Sequence, residues 1–156
     1  MRQFAGAITV VATVDGGKPV GLVATSVCSL STEPPSIVAC VNRASSAHDS
    51  IVRASVFGIT LLHTSQSGVA EHFGKDKASR FSGGGWKITS GVPYLEGAVA
   101  NFRCHLHKIY DGFSHSILVG FVDKIDFIER ADTGCLLWRG KRFHSTIPLG
   151  EITFAA

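Results

Sequence analysis

Apolar positions fall in short runs broken by glycine, proline and small polar residues, the punctuation of a strand-rich chain. Residues 7–14, 20–24, 36–41 and 56–62 are rich in Val, Ile and Thr and read as strands. Asp15-Gly16-Gly17 is a hairpin signal between the first two, and Pro34-Pro35 breaks the chain before the third. From 97 to 110 the pattern alternates. Ala100, Phe102, Cys104 and Leu106 share one face, and Asn101, Arg103, His105 and His107 share the other, as in a half-buried strand. Residues 114–121 and 122–128 continue as strand, and 135–138 adds a last one. So many strands lie too close together for a two-layer α/β arrangement. An antiparallel barrel, closed or nearly closed, removes their edges.

Helical period returns only briefly. Ser46-Ala47-His48-Asp49 fits an S-x-x-D capping box and predicts a helix over 47–54. Val69 and Phe73 are spaced i, i+4 before Gly74, which predicts a helix over 68–73. Residues 76–81 are a candidate third. The expectation is a mainly β chain with two or three short helices.

Composition narrows the classes. A chain of 156 residues without repeat, low-complexity segment or long linker reads as a single domain spanning 1–156. With 45% apolar and 17% charged residues, disorder is excluded. No apolar run has the length to cross a bilayer. The start, MRQFAGAITVVATVDGG, mimics a weak signal peptide, but Thr9, Thr13 and the following turn suit a strand better. A net charge of +3 suits a small anionic ligand and is too mild to argue for nucleic acid. Cys28, Cys40, Cys104 and Cys135 are unevenly spaced in apolar contexts with no C-x-x-C. They read as reduced, buried thiols of a cytoplasmic protein rather than a disulfide framework or metal site.

Candidate chemistry concentrates where the third strand ends. "CVNRASSAHDSIV", from Cys40 to Val52, places Asn42, Arg43, Ser45 and Ser46 between a buried strand and a helix. A helix start offers unpaired N–H groups, and an arginine with two hydroxyls beside it makes an anion seat. The commoner reading is a capped turn with a solvated arginine. A second segment, Val20 to Ser29, ends a strand in small residues. Gly21 and Ala24 allow close backbone approach, and Thr25, Ser26 and Ser29 add hydroxyls, a surface on which a flat polar ring can lie. His105 and His107 have a zinc-compatible spacing but no evident third ligand, so no metal site is expected. Arg139, Lys141 and Arg142 form a basic cluster whose default is a solvated face, with a cofactor phosphate next. Trp86, after three glycines, is either a lid aromatic or a core or dimer-contact residue.

Seven motifs in order carry a resemblance covering nearly the whole chain: "FAGAITVVAT", "GLVATSVCSLSTEPPSIVACVNRASSAHDSI", "FGITLL", "SRFSGGGW", "GVPYLEGAVANFRC", "DGFSHSILVGFV" and "LLWRGKRF". The chain resembles the short-chain flavin reductases, the reductase components of two-component flavin-dependent monooxygenases. The resemblance implies a split antiparallel β-barrel of the FMN-binding type and a homodimer. It also implies FMN or FAD reduced by NADH or NADPH, with reduced flavin passing to a partner monooxygenase. Carried across, Ala24, Thr25, Ser26 and Val27 line the isoalloxazine and ribityl chain. Val41, Asn42 and Arg43 continue the wall, Ser45 and Ser46 meet the phosphate, and Phe81 packs near the flavin. His115 matches the histidine of a Gly-Asp-His motif and is the catalytic candidate, as orienter or hydrogen-bond donor. Ser114 stands in place of that motif's acid, Val23 and Val27 replace a Thr and a Phe common in the family, and Phe143 replaces a common Tyr. Hydride transfer between cofactors needs alignment and electrostatics more than a nucleophile or carboxylate pair, and the sequence shows neither. Two alternatives stand beside the enzyme. One is a flavin carrier or sensor on the same barrel. The other is an OB-type nucleic-acid barrel, disfavoured by scattered aromatics and slight charge.

Overall fold

Tight hairpins set the architecture. The computed structural model describes residues 2–75, 77–128 and 134–148. After β1 (Gly6–Ala7), β2 (Thr9–Asp15) turns through Gly16 and Gly17 into β3 (Lys18–Ala24). Both glycines have positive φ, 55° and 77°, as a two-residue turn matched to strand twist demands. β4 (Val27–Thr32) and β5 (Pro35–Asn42) are joined across a cis Glu33-Pro34 bond. α1 (His48–Ala54) leads to β6 (Val56–Leu61), and a 3-10 turn at Thr64–Gln66 leads to α2 (Ser67–Lys75). Three more hairpins follow: β7 (Trp86–Thr89) with β8 (Val92–Leu95), β9 (Ala100–Gly112) with β10 (His115–Phe127), and β11 (Leu136–Arg139) with β12 (Arg142–Ser145). No helix among the described residues is long and apolar enough to cross a membrane.

One seven-stranded antiparallel sheet runs β3-β2-β6-β9-β10-β5-β4. It curls until Ala24 on β3 packs in the same core as Ile37, Ala39 and Val41 on β5, with Val11, Phe57 and Leu118 between them. β3 and β4 remain unpaired with each other, so the barrel is split rather than closed. α1 plugs one end through Ala47 and Ile51, which are 1% and 0% exposed. A second apolar layer lies outside the barrel: Ile8, Val10 and Ala12 pack with Leu62, Phe73, Leu95 and Leu136. α2 and the β11–β12 hairpin are held on that layer.

Several expectations change. Residues 77–81 form turns rather than a third helix, and residue 76 lies outside the described residues. The capping box is not made. Ala47 is the N-cap without a side-chain cap, and Ser45 Oγ accepts the Ala47 N–H at 3.3 Å instead. Asp49 is occupied by His48 Nδ1 at 2.7 Å. β4 escapes a hydrophobic pattern because only Val27 on it is partly buried. Cys135 makes an isolated bridge with His63 ahead of β11. Asn101 departs from the polar, solvent-facing role that alternation assigns it. It is 8% exposed, and its amide acts as a surrogate backbone for Leu95, donating to Leu95 O at 3.0 Å and accepting its N–H at 3.1 Å. Of the cysteines only Cys104 is buried, where burial pushes its thiol pKa up to about 12, and Cys28 is exposed. His105 pairs with Asp123 at 2.7 Å, and His107 stacks on Phe121.

Gly120 sits at a register shift in β10, where an added Cβ would stand 2.7 Å from Phe57 Cζ and 3.0 Å from Cys104 Cβ. Phe57 is fully buried and has nowhere to retreat. Gly120→Ala is therefore expected to lower stability by about 1–3 kcal/mol in urea titrations. Asp15, at the end of β2, accepts from Ser50 Oγ at 2.5 Å and Arg53 Nη2 at 2.7 Å, clamping α1 to the barrel. These two donors, Ser50 foremost, hold its carboxyl below the ordinary carboxylate range. A lowered folded pKa stabilises above the unfolded value, and that contribution disappears as pH falls through the folded one. Asp15→Asn is expected to melt below wild type at neutral pH. The gap should close in strong acid, followed by circular dichroism melts across the pH range.

Candidate functional site

Where the barrel end meets the outer layer, a cavity of about 770 Å³ opens. Ile8, Leu22 and Val23 form its floor. α2 supplies one wall through Ala70, Glu71 and Phe73, because its Val69/Phe73 face must bury against the outer layer. The β11–β12 hairpin supplies the opposite wall, with the rings of Trp138 and Phe143 edge to face at 5.2 Å. That hairpin turns at Gly140 and Lys141, both at positive φ, which aims the Lys141–Arg142 pair at the cavity mouth. Thr25, Asn42 and Ser45 form the polar rim.

The rim is preorganised. Asn42 Oδ1 accepts the Ala44 N–H at 2.9 Å and its carbonyl accepts the Ser45 N–H at 3.0 Å, so the turn after β5 is locked by its own first residue. Arg80 lines the cavity while donating to Gly21 O at 2.8 Å and Phe73 O at 3.1 Å, a brace between β3 and α2. Gly21 has no room for a side chain: a Cβ there would lie 2.8 Å from Ala12 Cβ and 3.0 Å from Phe81 Cζ. Three cations line the cavity, Arg80, Lys141 and Arg142, against one acid, Glu71. Among the described residues, Lys141 and Arg142 take part in none of the ion pairs. The groups with shifted pKa lie elsewhere. Tyr94, for example, is pushed up to about 12 by its hydrogen bond to Asp126.

The structure brings together only part of the expected constellation. Thr25, Asn42 and Ser45 share the cavity. Ser26 faces a neighbouring chamber, and Val27 lines a groove on the other side of β4. Ala24 and Val41 point into the barrel core, at 9% and 0% exposure. Ser46 is exposed. Arg43 turns away: Nη2 donates to Asp111 at 2.7 Å and Nε to Ser116 Oγ at 3.3 Å. Phe81 lies beneath the cavity, edge to face with Phe73 and Trp86 at 5.0 and 4.9 Å, so Trp86 is a core residue. His115 pairs with Asn42 across β5–β10 but is not among the residues lining the cavity, and its Nδ1 lies 2.9 Å from Ser114 Oγ.

Sequence reasoning missed the α2 wall and the pairing of Trp138 with Phe143. It also missed a buried link in which His48 Nε2 meets Ser116 Oγ at 2.9 Å behind Arg43. The aromatic pair had a signal, an apolar residue at each end of a four-residue Arg-Gly-Lys-Arg turn. The His48–Ser116 link joins residues far apart in sequence and had none.

Comparison with known proteins follows the same lines. The model of the flavin reductase like domain matches residues 1–146. A relative from Methylorubrum extorquens, FMN reductase (NADH) RutF 2, is 35% identical over 146 residues, covering 92% of this chain and 84% of its own. The reductase subunit HsaB of a flavin-dependent monooxygenase from Rhodococcus jostii is 31% identical, covering 90% of this chain and 72% of its own. Among solved structures, the Streptomyces globisporus NADH:FAD oxidoreductase SgcE6, in complex with NAD and FAD fragments, superposes with a TM-score of 0.87. It is 29% identical and covers 96% of this chain and 90% of that one.

Proposed function

The chain belongs to the flavin reductase like family, and on that premise we propose that the cavity between β3, α2 and the β11–β12 hairpin is its flavin site. The protein is an NAD(P)H-dependent flavin oxidoreductase that uses FMN or FAD and supplies reduced flavin to a flavin-dependent monooxygenase. The observation that carries the site is the match of one cavity to one amphipathic anion. Its floor and aromatic wall suit a flat ring, its hydroxyl and amide rim suits a polyol chain, and Lys141 and Arg142 at the mouth are unpaired among the described residues.

A flavin bound there would supply the redox chemistry, as acceptor of a hydride from a reduced nicotinamide. The chain supplies alignment and exclusion of water. Leu22, Val23 and Phe73 give the ring an apolar seat, and Trp138 and Phe143 close its far side. Thr25, with Ala24 and Ser26 flanking it, and Asn42 hold the polar edge and the ribityl chain, while Ser45 and the hairpin cations hold the phosphate. Ser46 stands exposed beside Ser45 at the phosphate end. Val41 and Val27 act by fixing β5 and β4 in the barrel. Arg43 acts from behind, tying the end of β5 to the β9–β10 turn and keeping Asn42 against His115. Phe81 acts from beneath, through Phe73. His115, opposite Asn42 in the β5–β10 pair, orients the nicotinamide by hydrogen bonding.

The chain also pairs with a second copy of itself. Val27, Ile37, Phe102, Val122 and Ile125 line an apolar groove of about 490 Å³ beside the open edge strand β4. Ile125 in that lining stands 50% exposed, and Leu30 on β4 and Phe127 on β10 are 55% and 58% exposed, apolar surface that invites burial.

Anaerobic mixing with FMN or FAD and then NADH or NADPH is expected to bleach the flavin absorbance with turnover. A protein that binds flavin but leaves it oxidised with both nucleotides is a carrier, not a reductase. His115→Ala is expected to slow reduction about 10- to 100-fold while flavin affinity stays near wild type; equal loss of both would make the residue structural. Leu30→Glu is expected to convert a dimer into a monomer in light-scattering chromatography, and an unchanged mass would place the interface elsewhere.

A further inference from the structure

The chain that follows β5 has two sides. Asn42, Ala44 and Ser45 line the cavity, whereas Arg43 and His48 stay out of that lining and reach one buried hydroxyl, that of Ser116 on β10. His48 Nε2 lies 2.9 Å from Ser116 Oγ, and Arg43 Nε lies 3.3 Å from it. Ser116 is 3% exposed and sits in register between Val41 on β5 and Asp111 on β9. The protons along these bonds have one consistent order. The Asp49 carboxylate only accepts, so His48 Nδ1 donates to its Oδ1 at 2.7 Å. Nε2 of the neutral ring is then the acceptor of the Ser116 O–H. Arg43 only donates, and its Nε–H goes to the Ser116 oxygen. Serine, histidine and aspartate in this order are the parts of a nucleophile relay. Here the serine is buried and its oxygen already holds a guanidinium, so it meets no substrate. Its task is to fix what is attached to it.

We propose that Ser116 and His48 are positioning residues for the phosphate of a phosphorylated flavin. The inference rests on the flavin reading of the cavity and deepens it. The segment is stitched along its length. The Ser45 N–H donates to Asn42 O at 3.0 Å, the His48 N–H donates to Ser45 O at 3.1 Å, and Ser45 Oγ accepts the Ala47 N–H at 3.3 Å. The Ser45 hydroxyl, held as an acceptor, keeps its own O–H to donate to a phosphate oxygen at the rim. A segment so stitched moves as one piece. Its place against the β9–β10 hairpin is set by the bonds it makes there: Arg43 N–H to Ser114 O at 3.0 Å, Arg43 Nη2 to Asp111 at 2.7 Å, and the two that converge on Ser116. The Asp111 carboxylate is 74% exposed and its pair is screened by water. The Ser116 bonds are shielded, so they hold the register. Losing them shifts Ser45 relative to Lys141 and Arg142 across the mouth and leaves the apolar seat of Leu22, Val23 and Phe73 intact. The phosphate therefore feels the change and the ring does not.

The test uses Ser116→Ala and His48→Phe, which remove the bond, and His48→Gln, which keeps a side-chain amide in its place. Titration calorimetry with FMN and FAD is paired with kcat and KM for both and for riboflavin, which lacks the phosphate, and melting curves confirm folding. Ser116→Ala and His48→Phe are expected to raise the FMN and FAD dissociation constants about tenfold. KM for these flavins rises with them, while kcat, and kcat/KM for riboflavin, stay within about twofold of wild type. His48→Gln is expected to stay within about threefold of wild type throughout. The proposal is overturned if riboflavin is impaired by the same factor as FMN and FAD, because the network then only supports the fold. It is equally overturned if no flavin is affected, or if His48→Gln is as impaired as His48→Phe. Should Ser116→Ala fail to fold, the two His48 variants decide by the same criteria. A wild type that takes none of the three flavins refutes the flavin site and this role with it. A wild type that binds them, with variants that do not separate FMN from riboflavin, leaves the site standing and removes only the role.

Discussion

Burial of both faces of β2 is the constraint from which the rest follows. From Thr9 to Thr13 every residue is buried, Val11 into the barrel and Val10 and Ala12 into the outer layer. A strand buried on both faces cannot afford free polar side chains. Thr9 and Thr13 accordingly donate their hydroxyls to Ala24 O at 2.8 Å and Val56 O at 2.7 Å. Because β2 is paired on both edges and covered on both faces, the barrel and the layer carrying α2 share it as a common wall. The cavity lies along the seam between them. Its floor takes Val23 from the outer face of β3, and the empty space at Gly21 lets Phe81 come in beneath.

A second device keeps the rim in place. The end of β5 is held by Asn42's own turn bonds, by the Arg43 N–H donating to Ser114 O at 3.0 Å, and by the Arg43 side chain on Asp111 and Ser116. His48, anchored by Asp49, reaches the same Ser116 from α1. Ser116 is 3% exposed, so its bonds are shielded from water and hold β5, α1 and β10 in one geometry. The Arg43–Asp111 pair alone is too exposed to contribute much. Joined to a buried hydroxyl, it sets where Asn42 and His115 meet.

This division of labour suits a reaction in which the cofactors exchange the hydride. The cavity proposed for the flavin offers an apolar seat, a polar edge and a cationic mouth, each from a different part of the fold. The seat comes from β3 and α2, the edge from the β5 turn, and the mouth from the β11–β12 hairpin. The hairpin pairs with β1, so the opening of the cavity depends on the two ends of the described chain meeting.

The sequence by itself determined the strand-rich class, the glycine turns and the family, because turn chemistry and strand propensity act over a few residues. Through motifs in order it singled out Thr25, Asn42 and Ser45, which the fold brings to one cavity. It set Arg43 in the flavin wall and Ser46 at the phosphate because residue type carries no direction. Packing turned Arg43 toward Asp111, buried Val41 in the barrel and left Ser45 to hold the turn. Asn101 was equally opaque, since its task is to complete the backbone bonds of Leu95, a residue on another strand. Only the tertiary structure decided which of these residues face one cavity, because that depends on strand register and on which face of β2 each layer covers, and both are settled by contacts far apart along the chain.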